Sequence, residues 1–290
     1  MKANKDYVIC TDSSSDIPKA LLCEWGVVSS PLSFKFNTSD KQYTNDEMNI
    51  SDFYAQMRNG DVAKTSAVNS EQFIASFRPI LEEGLDILYL GFSSGLSTTY
   101  NSARLAKEAL ADEYPDRRIE LVDTLCASAG EALLIRLVLD KKCEGATLDE
   151  AVAYAESIKL SICHWFTVDD LVYLKRGGRV SSTTAFVGNM LGIKPVMHVD
   201  NDGHLVNVTK VRGRKTSIAA LAEKYCELCS DDCARVFISH SDCQKDAEEL
   251  AALIEEKAKK KTDLITDVGP VIGAHSGPGT LALFFVGKER

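Results

Sequence analysis

The chain has 290 residues, of which 42 are acidic and 33 basic, and the resulting net charge of -9 has the wrong sign for a protein that tracks a phosphate backbone. With 45% apolar and 26% charged residues it is composed like a globular protein and is long enough for two domains with separate cores. The opening "MKANKDYVICTDSSSD" has no apolar signal core and runs such as "LALFFV" are too short to cross a bilayer, so we expect a cytoplasmic protein, not an integral membrane one. Nine cysteines, an odd number without framework spacing, read as reduced thiols.

In chain order, the strand "YVIC" is followed by a helix opened by Pro18 and closed by Gly26; "VVSSPLSF", "ILYL" and "IELV" are further strands, each followed by a helical pattern. Alternation of this kind implies a parallel sheet with helices on both faces. After about Trp165 the pattern changes. A helix in "VDDLVYLKRGG", another through "TAFVGNMLG", a hairpin "VMHVDNDGHLVNVTKV" with a tight two-residue turn at Asp202-Gly203, and later helices and strands through "TLALFFV" suggest a smaller α+β domain. The expected architecture is therefore an N-terminal three-layer α/β domain over 1–165 and a C-terminal α+β domain over 166–290.

Ligands of an open parallel sheet sit at the carboxyl ends of its strands. Three polar clusters fall at such ends: Thr11 to Asp16, Ser93 to Thr99, and Asp123-Thr124. Between Ser93 and Ser102 only Gly95, Leu96 and Asn101 lack a side-chain hydroxyl. "GFSSG" fits G-x-S-x-G, so a serine hydrolase with Ser93 as nucleophile, Asp123 or Asp200 as acid and His275 as base is one reading. Against it, a nucleophile elbow starts its helix directly behind the serine, whereas here the best cap is Ser97 and no glycine-rich oxyanion segment appears.

The competing reading is a turn that binds. A Ser97 hydroxyl beside the free N–H groups of Thr98 and Thr99 forms a small anion site, although capping alone is sufficient reason for Ser97. Thr65-Ser66 precedes a helix capped by Asn69 or Ser70 and reads as turn chemistry. His275 stands between Gly273 and Gly277 in "GAHSGPGT", a setting that leaves its imidazole accessible. Arg179 follows a helix C-terminus in "LKRGGRVSS", and Lys210, Arg212, Arg214 and Lys215 make a basic patch on an acidic protein, suited to a protein or phosphate partner. Cys226, Cys229 and Cys233 have the spacing of one helix face as well as that of a zinc knuckle; we assign no metal.

The segments "TDSSSDIP", "KTSAVNS", "SSGLSTTYNSA", "VDTLCASAGEALL", "LVYLKRGGRVS", "LGIKPVMHVDNDG" and "GPVIGAHSGPGTLALFF", in this order and spacing, resemble the DegV family, the fatty-acid-binding proteins of bacteria, along nearly the whole chain. The resemblance implies a DegV-like fold with a long-chain fatty acid buried between the domains as ligand, no cofactor, and no catalytic step on this chain. It maps the carboxylate-binding residues to Thr65 and Ser97, with His275 in the same network and Ser66, Ser94 and Thr98 as supporting hydroxyls. It further implies a separate fatty acid kinase as partner, faced by Arg212 and by Arg179. Thr98 stands where the family usually has glycine; threonine is tolerated there if the position has the ordinary negative φ of a helix start. A sensory module for another carboxylate is the remaining alternative.

Overall fold

The computed structural model describes residues 6–180, 192–231 and 233–290. In chain order the elements are β1 (Tyr7–Asp12), α1 (Lys19–Trp25), β2 (Val28–Ser30), β3 (Ser33–Phe36), β4 (Tyr43–Thr44), α2 (Ile50–Arg58), β5 (Ala63–Ser66), α3 (Ser70–Glu82), β6 (Asp86–Gly91), α4 (Thr99–Ala111), β7 (Ile119–Asp123), α5 (Ala129–Cys143) and α6 (Leu148–Ile158). There follow β8 (Ile162–Thr167), α7 (Val172–Arg176), β9 (Ile193–Val199), β10 (Leu205–Arg212), α8 (Arg214–Leu228), β11 (Val236–His240), α9 (Gln244–Ala258), β12 (Leu264–Asp267), α10 (Pro270–Ser276) and β13 (Leu281–Val286).

Three sheets result. A parallel sheet has the order β2-β1-β6-β7, a six-stranded, mostly antiparallel sheet has the order β10-β9-β8-β13-β11-β12, and a small antiparallel sheet has the order β4-β3-β5. The α/β class with a second, antiparallel-rich domain is as the alternation implied. Chain punctuation explains the local starts and stops. Pro18 opens α1 and Gly26, at φ 64°, closes it; Asn69 caps α3 through a reciprocal capping box with Gln72.

Other local expectations differ. "VVSSPLSF" is not one strand: Pro31 has no N–H to continue a ladder, and the chain leaves the parallel sheet after β2 to begin the small sheet as β3. The β9–β10 connection is not a two-residue turn, since Asp200 N still donates to His204 O, leaving a three-residue loop with Gly203 at φ 78°. β8 enters the six-stranded sheet at Ile162, so a division at 165/166 cuts this strand. The helix expected through "TAFVGNMLG" lies outside the described residues apart from Gly192.

α5 fixes how the two large sheets meet. Ten of its residues are buried, from Ala129 to Leu139. A helix apolar on nearly every face belongs in an interior, and α5 packs between the parallel sheet and one face of the six-stranded sheet. Along β13 the alternation divides the labour: Ala282 and Phe284 face α5, whereas Leu281, Leu283 and Phe285 face α8 and α9. α3 and α4 cover the opposite face of the parallel sheet.

Candidate functional site: a cavity between the two large sheets

Where the carboxyl ends of the parallel strands approach the α5-facing side of the six-stranded sheet, a cavity of about 500 Å³ opens. Its volume is in the usual range for small-molecule sites, about 300–1,000 Å³. Phe166, Ala282 and Phe284 from the second sheet, with Leu96, Val271 and Leu174, supply apolar wall. Thr65, Ser94, Ser97, Thr98, Arg179 and His275 also line it.

Thr65 reaches the cavity from β5, in register with Phe34 of β3. Its neighbour Ser66 is exposed and is not among the lining residues, as strand alternation requires. Thr65 Oγ1 lies 2.8 Å from His275 Nε2. The side chain is half-buried, and the loss of water around it, with the nearby Arg179 charge, pushes its pKa down to about 4, so it is neutral near pH 7. Its Nδ1 has no partner among the described residues and faces Gly177, where a Cβ would stand 2.2 Å away. The tautomer with its proton on Nε2 avoids leaving Nδ1 as a buried donor without an acceptor. In that tautomer His275 donates to Thr65, and the threonine hydroxyl proton remains free for a ligand.

Ser97 sits in the loop between β6 and α4. Leu96 N and Ser97 N donate to Ser93 O, and Thr99 N donates to Ser97 Oγ over 3.2 Å. Thr98 adopts φ -81°, ψ 0°, so a threonine at this position carries no backbone strain; the helix begins one residue later than a Ser97 cap implies. Ser97 Oγ and Thr99 Oγ1 are 2.9 Å apart; with Thr99 as donor, the Ser97 proton is also free. Ser94 is exposed at the rim, its N–H donating to Asp123 Oδ1.

The β9–β10 hairpin holds this loop from outside. Ser93 Oγ donates to Gly203 O over 2.9 Å and accepts from Gly95 N. A Cβ on Gly203 would lie 2.1 Å from that oxygen, and one on Gly95 2.8 Å from Asp202 O, so both positions need glycine for close approach. Ser93 is thus fully buried and occupied by backbone partners, His275 is bonded to Thr65 instead, and Asp123 serves Ser94 and Leu125 amides. The structure does not assemble the Ser93, Asp123 or Asp200, His275 triad.

Arg179 is half-buried on the cavity wall, its Nε donating to Leu96 O over 3.0 Å, rather than directed outward to a partner. Arg212 is exposed at the end of β10. Sequence reasoning missed His164, Ser128 and Ser239, which also line the cavity. The signal for one associated group was present: Glu131 is a lone acid in the otherwise apolar start of α5. Helix α8 ends at Leu228, so the one-face spacing proposed for Cys226, Cys229 and Cys233 stops short of the last two. Among the described residues the group with metal-ligand proximity is Asp200, Asp202 and His204 on the exposed hairpin loop.

The architecture is that of a two-sheet protein with a partly open, mainly apolar chamber on which hydroxyls and a neutral imidazole converge from separate elements. The chain belongs to the DegV family, whose model, described as "Uncharacterised protein, DegV family", matches residues 6–288. A DegV domain-containing protein of Clostridium perfringens is 42% identical over 290 residues, covering 99% of each chain. The crystal structure of a DegV lipid binding protein from Thermotoga maritima superposes with a TM-score of 0.83 at 32% identity, covering 98% of this chain and 99% of that one. A fatty acid binding DegV family protein from Streptococcus agalactiae gives 0.85 at 29% identity, covering 99% and 100%.

Proposed function

We propose that this protein binds a long-chain fatty acid, tail in the 500 Å³ cavity and carboxylate held by Thr65 and Ser97, and presents it to a separate fatty acid kinase for conversion to acyl phosphate. The observation that carries the reading is the Thr65–His275 pair beside the Ser97 loop on one predominantly apolar cavity. The relatives described as lipid- or fatty-acid-binding support the ligand class.

The chemistry is consistent. Each methylene removed from water contributes about 0.8 kcal/mol, so the tail supplies affinity while a few hydroxyls set orientation. Thr65 and Ser97 each have a proton to give to a carboxylate oxygen, and Arg179, which pairs with no acid among the described residues, adds positive charge behind Leu96. Arg212 and its exposed neighbour Lys215 then form the face offered to the kinase. Organic extraction and mass spectrometry of the protein as purified tests the ligand; a near-stoichiometric fatty acid is expected, and a different carboxylate or an empty chamber in well-folded protein would overturn it. Acyl phosphate formation with ATP and a fatty acid kinase tests the partner role, and equal rates with and without this protein would refute it.

A further inference from the structure

Two carboxyl groups are wholly buried behind the cavity, Asp12 at the end of β1 and Glu131 in the first turn of α5, and among the described residues neither forms an ion pair. Ser14 Oγ bridges them, within hydrogen-bond reach of Asp12 Oδ1 and 3.1 Å from Glu131 Oε2. A hydroxyl has one proton and cannot donate it to two carboxylates at once, and two like charges this close oppose each other's ionisation. One carboxyl therefore supplies the second proton.

The distribution of donors says which. Asp12 accepts from Ser14 N at 3.1 Å, Phe92 N at 3.1 Å and Tyr89 Oη at 2.6 Å. Among the described residues Glu131 otherwise accepts only from Thr11 Oγ1, at 2.8 Å. An ionised Asp12 is matched by its donors, and a proton on Glu131 Oε2 completes the chain from Glu131 to Ser14 to Asp12. Burial pushes both carboxyls up; at Glu131 the Asp12 charge adds to it against the Thr11 and Ser14 bonds, and at Asp12 the bonds from Ser14, Tyr89 and Phe92 oppose it.

We propose that Glu131 is a neutral carboxylic acid which, through Ser14, fixes an ionised Asp12 as the anchor of the loop carrying Ser94 and Ser97, making Asp12 and Glu131 positioning residues for the fatty-acid head group. The inference rests on the fatty-acid reading above. Phe92, which Asp12 holds by its N–H, lines the cavity and opens that loop. Gly91 belongs to the same device: a Cβ there would lie 2.4 Å from the Tyr89 ring, which turns back to place its hydroxyl on Asp12. The three-residue turn holding Ser14 also touches other cavity walls, since Leu32 N donates to Ser13 Oγ and Ser128 N to Ser14 O. The titratable groups facing Glu131 are Asp12 and Asp16 from β1 and its turn, Tyr89 of β6 through Asp12, and Cys126 ahead of α5, whose thiol contacts Arg290.

The test compares the full-length wild type with Glu131→Gln, Glu131→Leu and Asp12→Asn. Infrared spectra of ligand-free protein at pH 7 should show a protonated-carboxyl band that Glu131→Gln diminishes; the remainder comes from Asp16, whose carboxyl burial pushes up to about 7, and fades as the pH is raised. A glutamine reproduces the neutral acid, accepting from Thr11 and donating to Ser14, so Glu131→Gln should bind palmitate within about twofold of wild type. Asp12→Asn and Glu131→Leu should bind about tenfold more weakly, with the helical circular-dichroism signal retained in Asp12→Asn. The assignment is overturned if Glu131→Gln leaves the band unchanged, or if it weakens palmitate binding as much as Asp12→Asn does. Should the wild type itself not bind palmitate, the head-group role falls with the fatty-acid reading, while the infrared result still decides the proton.

Discussion

Gly177→Ala isolates the head-group network with little else disturbed. Gly177 has φ -72° and ψ -11°, a conformation alanine adopts freely, so the backbone itself gains nothing to resist. The new methyl, however, would stand 2.2 Å from His275 Nδ1 and 3.1 Å from its Cγ. The ring is half-buried and tied to Thr65, so relief comes by rotating the imidazole away from that hydroxyl. One neutral hydrogen bond contributes about 0.5–1.5 kcal/mol net, which converts to roughly two- to tenfold weaker fatty acid binding. Gly178→Ala is the control: Gly178 is at φ 72° with nothing within 4 Å of a Cβ, so its alanine should lose about 1 kcal/mol of stability through backbone strain and leave affinity unchanged. Fluorescent fatty acid displacement gives the affinities and thermal melts the stabilities. Wild-type affinity in Gly177→Ala, or equal affinity losses in both variants, would refute the role given to His275.

Thr65→Ala or Ser97→Ala should keep apolar chains in the chamber, losing about tenfold or less in affinity, yet fall much further in kinase-dependent acyl phosphate formation; unchanged transfer in both variants would remove them from the site. Stability should carry two opposed pH slopes. His275 has its pKa lowered to about 4, so its contribution is full above about pH 6.5 and is lost as pH falls toward 4. Asp16, raised to about 7 chiefly by burial, contributes fully below about pH 3.8 and loses that contribution as pH rises toward 7. Denaturant titrations of His275→Gln should therefore lose stability more steeply from pH 4 to 6.5 than the wild type, and Asp16→Asn should do the reverse; parallel pH profiles for all three proteins would contradict both assignments. Leu134→Ala, in the fully buried middle of α5, should cost about 2–5 kcal/mol in a chemical unfolding curve, because the cavity it leaves opens between both large sheets. A loss under 1 kcal/mol would mean that α5 does not bear on both.

The elements that a single segment specifies were legible in the sequence. Pro18 and Gly26 bound α1, and Asn69 with Gln72 starts α3, because a cap's partners lie within a few residues. What depends on distant chain was not. Pro31 in "VVSSPLSF" announces a break, but nothing local says that the two halves enter different sheets. Thr65 read as turn chemistry from its neighbours, and only the fold puts it opposite His275, 210 residues away. The resemblance supplied Thr65, Ser97 and His275 as a set, and the structure brings all three to one cavity. It put Arg179 on a partner-facing surface, whereas its side chain reaches back to Leu96 O, 83 residues away in the chain, which only the fold brings near. Glu131 was visible as an acid among apolar residues, but its partners come from β1 and the turn after it, 120 and 117 residues away.

The choice of neutral donors at the cavity's polar end has a chemical consequence. A carboxylate clamped bidentately by arginine gives its charge density to that pair, and a buried ion pair is costly to break when one partner must leave. On the proposed reading Thr65 and Ser97 would each offer a single hydroxyl proton, with His275 kept neutral by desolvation and by Arg179, and the head group would retain a charged oxygen able to attack a phosphoryl group. Affinity would then reside in the tail, since each buried methylene, at about 0.8 kcal/mol, nearly matches one net hydrogen bond of about 1 kcal/mol. A protein that, as proposed, holds a lipid while another enzyme modifies its head group would gain from this division, since the oxygen that reacts would not be the part that anchors the molecule.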